Sequence, residues 1–447
     1  MGRSGKRLST SSPLDQLAKK IENRTARIGV IGLGYVGLPL AVEFAKEGFS
    51  VTGIDLDSFR VSGVNSGKSY ILDVPSEELK QLHRHGRLRA TSSFNVLSNQ
   101  DAVIICVPTP LRKTREPDMS FIISATKEIA KHVHKGQLIV LESTTYPGTT
   151  EEVVLPDLQE RGLKVGKDFA LAFSPERIDP GNPTFQTRNI PKVIGGTTPK
   201  CTALARALYG CAIQRTVPVS SSKAAEMVKL LENTFRAVNI GLVNEIAIIC
   251  DRLGIDVWEV INAAKTKPFG FMPFYPGPGI GGHCIPSDPV YLAWKVRVHG
   301  FEARFIELAT QINGGMPAYV VDKISRVLND RRKSLKGARV LLLGLAYKKD
   351  VGDLRDSPAF DVAKHLDERG AVISYHDPLV ASAELNGRRY RCVPLSAKTL
   401  KHVDCVVILT NHSSVDYDLI LRHAPVIVDT RNQYAPGKRS LSRVVRL

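Results

Sequence analysis

The chain of 447 residues lacks paired cysteines. Its seven cysteines contain no CxxC motif and no regular spacing; they are Cys106, Cys201, Cys211, Cys250, Cys284, Cys392 and Cys405. Neither a disulfide framework nor a zinc site is therefore indicated, and we expect no metal. Unpaired thiols favour a reducing compartment, so the pattern predicts a cytoplasmic protein.

Long apolar segments are also missing. The residues before Ile28 include lysines and arginines but no apolar stretch of the kind that a secretory signal contains. No hydrophobic run elsewhere reaches the roughly 20 residues that a helix needs to cross a bilayer. We therefore expect a soluble protein with no membrane partner.

Aromatic residues are scarce, at 6% of the chain, whereas basic residues are in excess and give a formal net charge of +17. Such a charge favours anionic partners. The basic residues are scattered, however, and are not interleaved with the aromatic side chains that a base-stacking surface requires. The composition favours a nucleotide cofactor with a phosphorylated substrate, and we do not expect nucleic acid as a partner.

Strand and helix patterns alternate in two series, one from Arg27 and one from Arg339. Between them, Lys223–Leu253 keeps a helical period over an unusual length. We predict an α/β fold with two Rossmann-like doubly wound domains joined by a long central helix. The predicted segments are a polar N-terminal tail at 1–25 in which Leu14–Glu22 favours a short helix, a dinucleotide-binding domain at 26–217, a central helical domain at 218–330, and a second Rossmann-like domain at 331–447.

A dinucleotide fingerprint opens the first series. Gly32, Gly34 and Gly37 form GxGxxG between a strand and a helix. They allow, in turn, the tight turn, the approach of a pyrophosphate and close packing of helix on strand. Asp55 ends the next strand at the spacing expected of a carboxylate that binds ribose. This carboxylate favours NAD over NADP, although Arg60 could stack on adenine or attract a 2′-phosphate.

The loop PGPGIGGHCIPSD at 276–288 holds a single cysteine, Cys284, with Asp288 four residues later. A thiol lets an enzyme trap an aldehyde, oxidise the adduct to a thioester and release a carboxylate with water. Together with a nicotinamide cofactor, the thiol predicts oxidation of an alcohol to an acid within one site.

Other polar residues become candidates in that context. Lys229 and Asn233 lie one turn apart on the long helix and could stabilise an oxyanion. Taken alone, they are more simply a solvated lysine and an ordinary helical asparagine. Asp288 could orient a water molecule or a proton carrier, or it could form a turn. Glu176 is a candidate base for thioester hydrolysis, or a surface glutamate.

Several motifs occur in order along almost the whole chain, from Arg27 to Tyr434. They are GLGYVGLPLA (32–41), VPTP (107–110), STTYPGTT (143–150), SPER (174–177), AEMVKLLENTFRAVNIGLVNE (225–245), GPGIGGHCIPSDP (277–289), GLAYKKDVGDLRDSP (344–358) and DTRN (429–432). In this order they resemble the UDP-glucose/GDP-mannose dehydrogenase family. The resemblance implies an N-terminal NAD domain, a central helical region that forms a homodimer or higher homo-oligomer, and a C-terminal domain that binds a UDP-sugar.

The resemblance also implies roles for individual residues. Cys284 matches the nucleophile, Lys229 and Asn233 match oxyanion donors, and Asp288 and Thr144 match residues that position water. Glu176 matches a glutamate implicated in hydrolysis, and Lys348 and Arg431 match basic positions near the bound nucleotide. The remaining expected cofactor contacts are Tyr35, Val36, Pro108, Thr109 and Thr144, and the expected substrate contacts are Glu176, Arg177, Lys229, Asn233, Tyr275, Gly281, Lys348 and Arg431.

Two departures from the UDP-glucose pattern refine the expected substrate. Ser287 replaces a lysine that usually precedes the aspartate, and Pro180 stands where a second glutamate is usual. These changes are similar to the branch that oxidises N-acetylated UDP-hexosamines, with UDP-N-acetylglucosamine favoured. UDP-N-acetylmannosamine and UDP-glucose remain alternative substrates, and a catalytically silent regulator that binds a sugar nucleotide is an alternative of another class.

Overall fold

The structure is a computed structural model that describes residues 12–71, 73–112, 114, 116–179, 182, 184–434 and 443–447. The chain divides into two compact units, and the division falls between Leu231 and Glu232. Both positions lie inside helix α8, Ser222–Leu253, which is 32 residues long.

The first unit contains an eight-stranded sheet in the order β3-β2-β1-β4-β5-β6-β7-β8. Its strands are β1 Arg27–Ile31, β2 Ser50–Ile54, β3 Leu88–Thr91, β4 Ala102–Ile105, β5 Leu138–Leu141, β6 Ala170–Phe173, β7 Lys192–Gly196 and β8 Thr216–Pro218. Neighbouring strands run parallel except β6 and β7, which are antiparallel. The doubly wound sheet predicted from the sequence is present, with this one reversal.

Apolar residues of the central strands alternate between the two faces of this sheet. On β4, Ala102 and Ile104 join one core cluster, whereas Val103 and Ile105 join another. Helices cover both faces, so every residue of β4 and β5 is buried. This is why these strands are continuous apolar runs in the sequence.

The helices of the first unit follow the strands along the chain. They are α1 Pro13–Glu22, α2 Gly37–Lys46, α3 Ser58–Ser66, α4 Ser76–Arg84, α5 Ser120–His132, α6 Leu155–Gln159 and α7 Pro199–Tyr209, with a 3₁₀ helix at Phe94–Asn99 and a π-helical turn at Thr150–Val154.

Helix α1 occupies part of the segment that the sequence predicted as a polar tail. Ser12 caps the helix, because its hydroxyl accepts from the Asp15 N–H while the Asp15 carboxylate accepts from the Ser12 N–H. Leu14, Leu17 and Ile21 are buried in the core of the first unit. The described part of the tail is therefore packed against the domain, and its first eleven residues lie outside the described ranges.

The second unit has a smaller sheet in the order β10-β9-β13-β14-β15, parallel throughout, and a separate two-stranded antiparallel ribbon. Its strands are β9 Arg339–Leu343, β10 Val372–His376, β11 Ser382–Leu385, β12 Arg388–Arg391, β13 Cys405–Ile408, β14 Ile427–Asp429 and β15 Val444–Arg446. Its helices after α8 are α9 Val257–Ala264, α10 Cys284–Arg297, α11 Arg304–Asn329, α12 Pro358–Glu368, α13 Ala397–Lys401 and α14 Tyr417–His423.

Helix α8 carries a stripe of apolar side chains that remain exposed. Leu231, Phe235, Leu242, Ile249 and Leu253 are all more than 40% exposed, and successive members are four or seven residues apart. This spacing keeps the side chains on one face of a helix. Among the residues that the structure describes, none covers this face of α8. Among the described helices, none combines the length and the hydropathy that crossing a membrane requires.

Candidate active site

The glycine-rich turn after β1 has the shape that a dinucleotide requires. Gly32 adopts a φ of +92°, and a Cβ added there would lie 2.4 Å from the Cys106 carbonyl oxygen. A Cβ on Gly37 would lie 1.8 Å from the Gly32 carbonyl oxygen, so helix and strand touch at this point. A Cβ on Gly34, in contrast, would meet only the Arg60 guanidinium, at 3.9 Å. Space therefore remains at the one glycine where a pyrophosphate would approach.

Asp55 lies beside this turn at the end of β2. Its Oδ2 atom accepts from the Leu33 N–H at 2.7 Å and from the Arg60 guanidinium at 3.2 Å. The Tyr70 hydroxyl donates to the Leu33 carbonyl at 2.8 Å and so holds the turn from its other side. The chain thus supplies a fixed carboxylate for ribose hydroxyls, and this arrangement fits NAD. Arg60 is engaged by Asp55 in the structure.

The other expected cofactor residues follow strand ends at the same edge of the sheet. Tyr35 is 45% exposed in the glycine turn, and Val36 is the residue before α2. Pro108 and the buried Thr109 follow β4, and Thr144 follows β5. The carboxyl edge of a parallel sheet is where such folds bind nucleotides, so topology places these residues along one crevice.

A buried ionic cluster lies behind the ends of β5 and β6. The Lys192 ammonium is 2.8 Å from the Glu142 Oε2 atom and 2.9 Å from the Glu176 Oε2 atom. The other oxygen of Glu142 accepts from the Tyr209 hydroxyl. The other oxygen of Glu176 accepts from the main-chain N–H groups of Arg177 and Ile178, both at 2.6 Å. Each carboxylate oxygen of the two glutamates therefore has a donor.

These contacts set the protonation of the cluster. Burial raises the pKa of Glu142 and that of the Tyr209 hydroxyl. Burial also opposes ionisation of Glu176, but the Lys192 ammonium and the Arg177 N–H outweigh it and lower the pKa of that carboxyl. The two glutamates raise the pKa of Lys192 although its burial acts in the opposite direction. Glu176 is held as an anion and does not have the raised pKa that a general base near neutral pH would have.

Lys229 adjoins this cluster through the main chain. Its ammonium donates to the Glu176 carbonyl oxygen at 2.6 Å, and the residue is only 7% exposed. Glu226, one turn earlier on α8, accepts from the N–H groups of Gly148 and Thr150 and from the Thr150 hydroxyl. Both contacts fix the start of α8 against loops at the carboxyl edge of the first sheet. The alternative of a solvated Lys229 is therefore wrong.

In the second unit, Cys284 is the first residue of α10. The loop before it has little room for side chains, because a Cβ on Gly281 would lie 2.5 Å from the Tyr347 Cβ atom. Gly282 has a φ of +85°, and its N–H donates to the Arg355 carbonyl at 3.0 Å. The thiol is thus half-buried at a helix N-terminus, where the helix dipole favours negative charge.

Asn233 and Asp288 form a buried pair in the same unit. The Asn233 amide nitrogen donates to the Asp288 Oδ2 atom at 2.5 Å. Asp288 is 1% exposed, one turn after Cys284 on α10, and Asn233 is 6% exposed on α8. The pair orients an amide and a carboxylate next to the helix that begins with the thiol.

The carboxyl edge of the second sheet repeats the geometry of the first. Asp377, after β10, accepts from the N–H groups of Leu345 at 2.8 Å and Ala346 at 3.1 Å, as Asp55 accepts from Leu33. Here the carboxylate is also closed off by His412, whose Nε2 atom lies 3.2 Å away and whose side chain is fully buried. The Asp377 side chain is fully buried beside His412, whereas 8% of the Asp55 side chain is exposed, so Asp377 does not present to a ribose the carboxylate that Asp55 presents.

Arg431 and Lys348 also lie at this edge. Arg431 follows β14, donates from Nε to the Leu409 carbonyl at 2.7 Å, and has its Nη1 atom 2.8 Å from where a Gly277 Cβ would be. Burial lowers the pKa of Arg431 to about 10, so the group stays charged at neutral pH. Lys348 is half-buried in the loop after β9. These two cations suit a pyrophosphate.

Two expected substrate residues have other contacts. Tyr275 stacks on Trp258, with ring centroids 6.0 Å apart, and is 43% exposed. The Arg177 guanidinium donates to the Pro191 carbonyl at 2.6 Å. Among the described residues, no group of three or more histidine, cysteine, aspartate or glutamate side chains is arranged to hold a metal ion.

Sequence reasoning missed Lys192, Glu142 and the Asp377–His412 pair. Lys192 and Glu142 are 50 residues apart in the sequence, so no local pattern links them. The sequence contained only an indirect indication: a lysine and a glutamate at the ends of buried strands must form ion pairs or hydrogen bonds if they are buried. For Asp377, the position after a strand was visible, and the matching histidine was not.

A Rossmann sheet with this glycine turn and a carboxylate at the end of the second strand is the arrangement of NAD-dependent dehydrogenases. Three family models match in succession: the NAD binding domain of the UDP-glucose/GDP-mannose dehydrogenase family at residues 26–213, its central domain at 223–314 and its UDP binding domain at 341–436. The chain belongs to this family. The family and the NAD cofactor predicted from the sequence are confirmed, and the enzyme is a nucleotide-sugar dehydrogenase that acts on a UDP-sugar.

Individual relatives carry finer names. The chain is 39% identical to the UDP-N-acetyl-D-glucosamine 6-dehydrogenase of Pseudomonas aeruginosa, over 87% of this chain and 90% of that protein. It is 37% identical to the UDP-N-acetyl-D-mannosamine dehydrogenase of Yersinia pestis, over 86% and 93%. The solved UDP-D-ManNAc dehydrogenase of Pyrococcus horikoshii superposes with a TM-score of 0.85 at 34% identity, covering 94% of this chain and 98% of that one.

Proposed function

We propose that the enzyme oxidises the 6-hydroxymethyl group of a UDP-N-acetylhexosamine, with UDP-N-acetylglucosamine as the preferred substrate, to the uronic acid. The observation that carries this proposal is Cys284 at the start of α10, with the Asn233–Asp288 pair one turn away. A thiol in this position allows the second oxidation, from aldehyde to acid, without release of the aldehyde.

The reaction needs four electrons and one water molecule. NAD⁺, which the glycine turn and Asp55 would hold, would supply the oxidant, with one NAD⁺ used for each of the two two-electron oxidations. In the first oxidation the alcohol loses its hydroxyl proton, which passes to water held by Asp288. The Cys284 thiolate then adds to the aldehyde carbon, and the resulting thiohemiacetal loses hydride and proton to become a thioester. Water attacks the thioester carbonyl, the carbon–sulfur bond breaks, and the acid leaves with the thiol restored.

Other residues of the chain would stabilise and orient these steps. Lys229 and Asn233 donate to the oxygen that becomes negative during each step, as in other oxyanion holes. Thr144 and Asp288 hold the reacting water. We do not assign proton transfer to Glu176, because its carboxylate already accepts hydrogen bonds from Lys192, Arg177 and Ile178.

The preference for an N-acetylated sugar rests on Ser287 and on the names of relatives. Ser287, where UDP-glucose members usually have lysine, is buried next to Asp288. The other departure, Pro180, lies outside the described residues. Relatives named for the gluco and for the manno epimer are similarly identical to this chain, so UDP-N-acetylmannosamine is the first alternative and UDP-glucose the second.

The test is the yield of NADH from a limiting amount of UDP-N-acetylglucosamine with excess NAD⁺. Two NADH per sugar would support oxidation to the acid. One NADH would contradict the thioester route. If no NADH forms, the same assay with UDP-N-acetylmannosamine and UDP-glucose decides between the sugars. A shift in melting temperature with all three sugars but NADH from none would favour a silent binding protein instead.

We further infer that the enzyme forms a homodimer through the exposed apolar stripe of α8, since a face of this length is rarely left in water. The seven cysteines are all free thiols, which a reducing compartment favours, and this supports a cytoplasmic location. The acidic sugar nucleotide would serve the synthesis of a polysaccharide.

A further inference from the structure

The antiparallel pairing of β6 and β7 builds a feature that the proposed mechanism does not use. Its register pairs Ala172 with Gly196 and Phe173 with Gly195. If this register is extended three residues beyond the end of β6, Glu176 lies opposite Lys192, which is the first residue of β7. A parallel β7 would have its first residue at the opposite edge of the sheet. The reversed strand therefore delivers a buried cation to the edge that carries the glycine turn.

Lys192 fixes the turn that follows β6. Its ammonium holds one carboxylate oxygen of Glu176 at 2.9 Å, while the N–H groups of Arg177 and Ile178 hold the other. Glu142 anchors Lys192 from its other side at 2.8 Å. With both side-chain oxygens held, the main chain at Glu176 has one orientation, and its carbonyl oxygen points at the Lys229 ammonium, 2.6 Å away.

The charges of the cluster also indicate that Lys192 stabilises this turn. Two glutamates and two lysines meet here, and all four residues are at least nine-tenths buried. Removing either lysine would leave an excess of negative charge in a site with little water, which is costly unless a proton is taken up. The Glu142–Lys192–Glu176 cluster is therefore suited to hold the Glu176 carbonyl oxygen toward the Lys229 ammonium.

We propose that Lys192 is a positioning residue for the oxidation, acting through the Glu176 carbonyl on Lys229. In this role the Glu176 carboxylate holds the main chain of Glu176 in place and takes no part in proton transfer. The inference rests on the proposed function only in that Lys229 is taken to stabilise the reacting oxygen.

The primary variant is Lys192→Met, which keeps length and removes the cation. Because a misplacement of about 1 Å can cost about 10²-fold in rate, we expect kcat to fall by about 10²-fold with little change in the KM for NAD⁺. The matched control is Lys323→Met in the second unit. Lys323 is also buried and also ion-paired, at 2.5 Å from Asp251, and Asp251 has no role in the proposed mechanism. This control is expected to lower the melting temperature and leave kcat nearly unchanged.

A double-mutant cycle separates positioning from general loss of structure. If Lys192 acts through Lys229, then adding Lys192→Met to Lys229→Ala causes no further loss of single-turnover rate. The proposal would be overturned if the rate losses of the two single variants multiplied in the double variant. It would also be overturned if Lys192→Met had the same kcat as Lys323→Met. If Lys192→Met does not fold, Lys192→Gln, which keeps a donor for one glutamate, is carried through the same cycle. Inactivity of the wild-type enzyme on every UDP-sugar would instead refute the proposed function.

Discussion

The side-chain amide of Asn233 donates a hydrogen bond of 2.5 Å to the Asp288 carboxylate, and both groups are buried. The bond ties α8 to the helix that begins with Cys284. It also fixes which end of the amide is the nitrogen, because a carboxylate accepts and cannot donate. The second N–H of that nitrogen keeps a defined direction, as an oxyanion donor requires.

The Asp288→Asn variant tests this relationship. An asparagine has the same size but lets the two amides pair in either orientation, so we expect kcat to fall by about 10²-fold with the fold retained. Steady-state kinetics and thermal melting measure the two effects. The control is Asp322→Asn, an exposed partner of Arg369, which should behave like wild type. A normal kcat for Asp288→Asn would exclude the pair from catalysis.

The Cys284→Ser variant tests the covalent route. A serine hydroxyl is a much weaker nucleophile than a thiolate, so formation of the uronic acid should fall by at least about 10³-fold. Mass spectrometry of the products measures the acid directly. Cys392→Ser is the control, since Cys392 is another half-buried cysteine of the second unit. Full turnover by Cys284→Ser would refute the thioester mechanism.

Two alanine substitutions in the glycine turn should lower different properties, one the stability of the fold and the other the affinity for NAD⁺. Gly37→Ala would place a methyl group 1.8 Å from the Gly32 carbonyl oxygen, so we expect a loss of about 1–3 kcal/mol in the free energy of unfolding. Gly34→Ala would meet only Arg60, at 3.9 Å, and should fold normally but bind NAD⁺ more weakly. Denaturant melts and cofactor titration separate the two. Unchanged NAD⁺ affinity in Gly34→Ala would contradict the assigned pyrophosphate site.

Asp377 should make stability depend on acid pH. Burial opposes its ionisation, but the hydrogen bonds from His412 and main-chain N–H groups win and lower the pKa of Asp377 from 3.8 to about 2. Since the folded-state pKa lies below the unfolded value, the contribution is present above about pH 4 and disappears as the pH falls toward 2. It amounts to about 2 kcal/mol.

The measurement is urea unfolding of wild type and Asp377→Asn at several pH values. We expect the variant to be less stable at pH 7, with a difference that shrinks below pH 4. Asp418→Asn, the same substitution at an exposed position of the second unit, provides the comparison. A difference that stays constant with pH would show that the Asp377 carboxylate contributes nothing by being charged.

The proposed dimer can be tested on the α8 stripe. Leu242 is 53% exposed at its centre, and Leu242→Glu would place a charge in the proposed interface. Light scattering should find a dimer for wild type and a monomer for the variant. Leu379→Glu, at a leucine that is 50% exposed elsewhere in the second unit, should leave the dimer intact. A monomeric wild-type protein would refute the dimer outright.

The local elements were largely predictable. The bounds expected for α8, Lys223–Leu253, differ from the observed Ser222–Leu253 by one residue, because a long helical period is visible in the sequence. The glycine turn and Asp55 were equally visible, since the fingerprint is a run of residues whose order is imposed by one backbone turn. Helix α1 was also expected, at Leu14–Glu22, but its packing against the domain was not, because a polar surface masks the three apolar residues that it buries.

The sequence by itself determined the family, the cofactor turn and the position of the thiol, because those features are written in contiguous residues. Only the tertiary structure decided that β7 reverses, that Lys192 thereby meets Glu142 and Glu176, and that His412 closes Asp377. The physical reason is the same in each case. Burying a charge demands a partner, but the chain supplies that partner from another strand end, and strand order and direction are set by how the sheets pack.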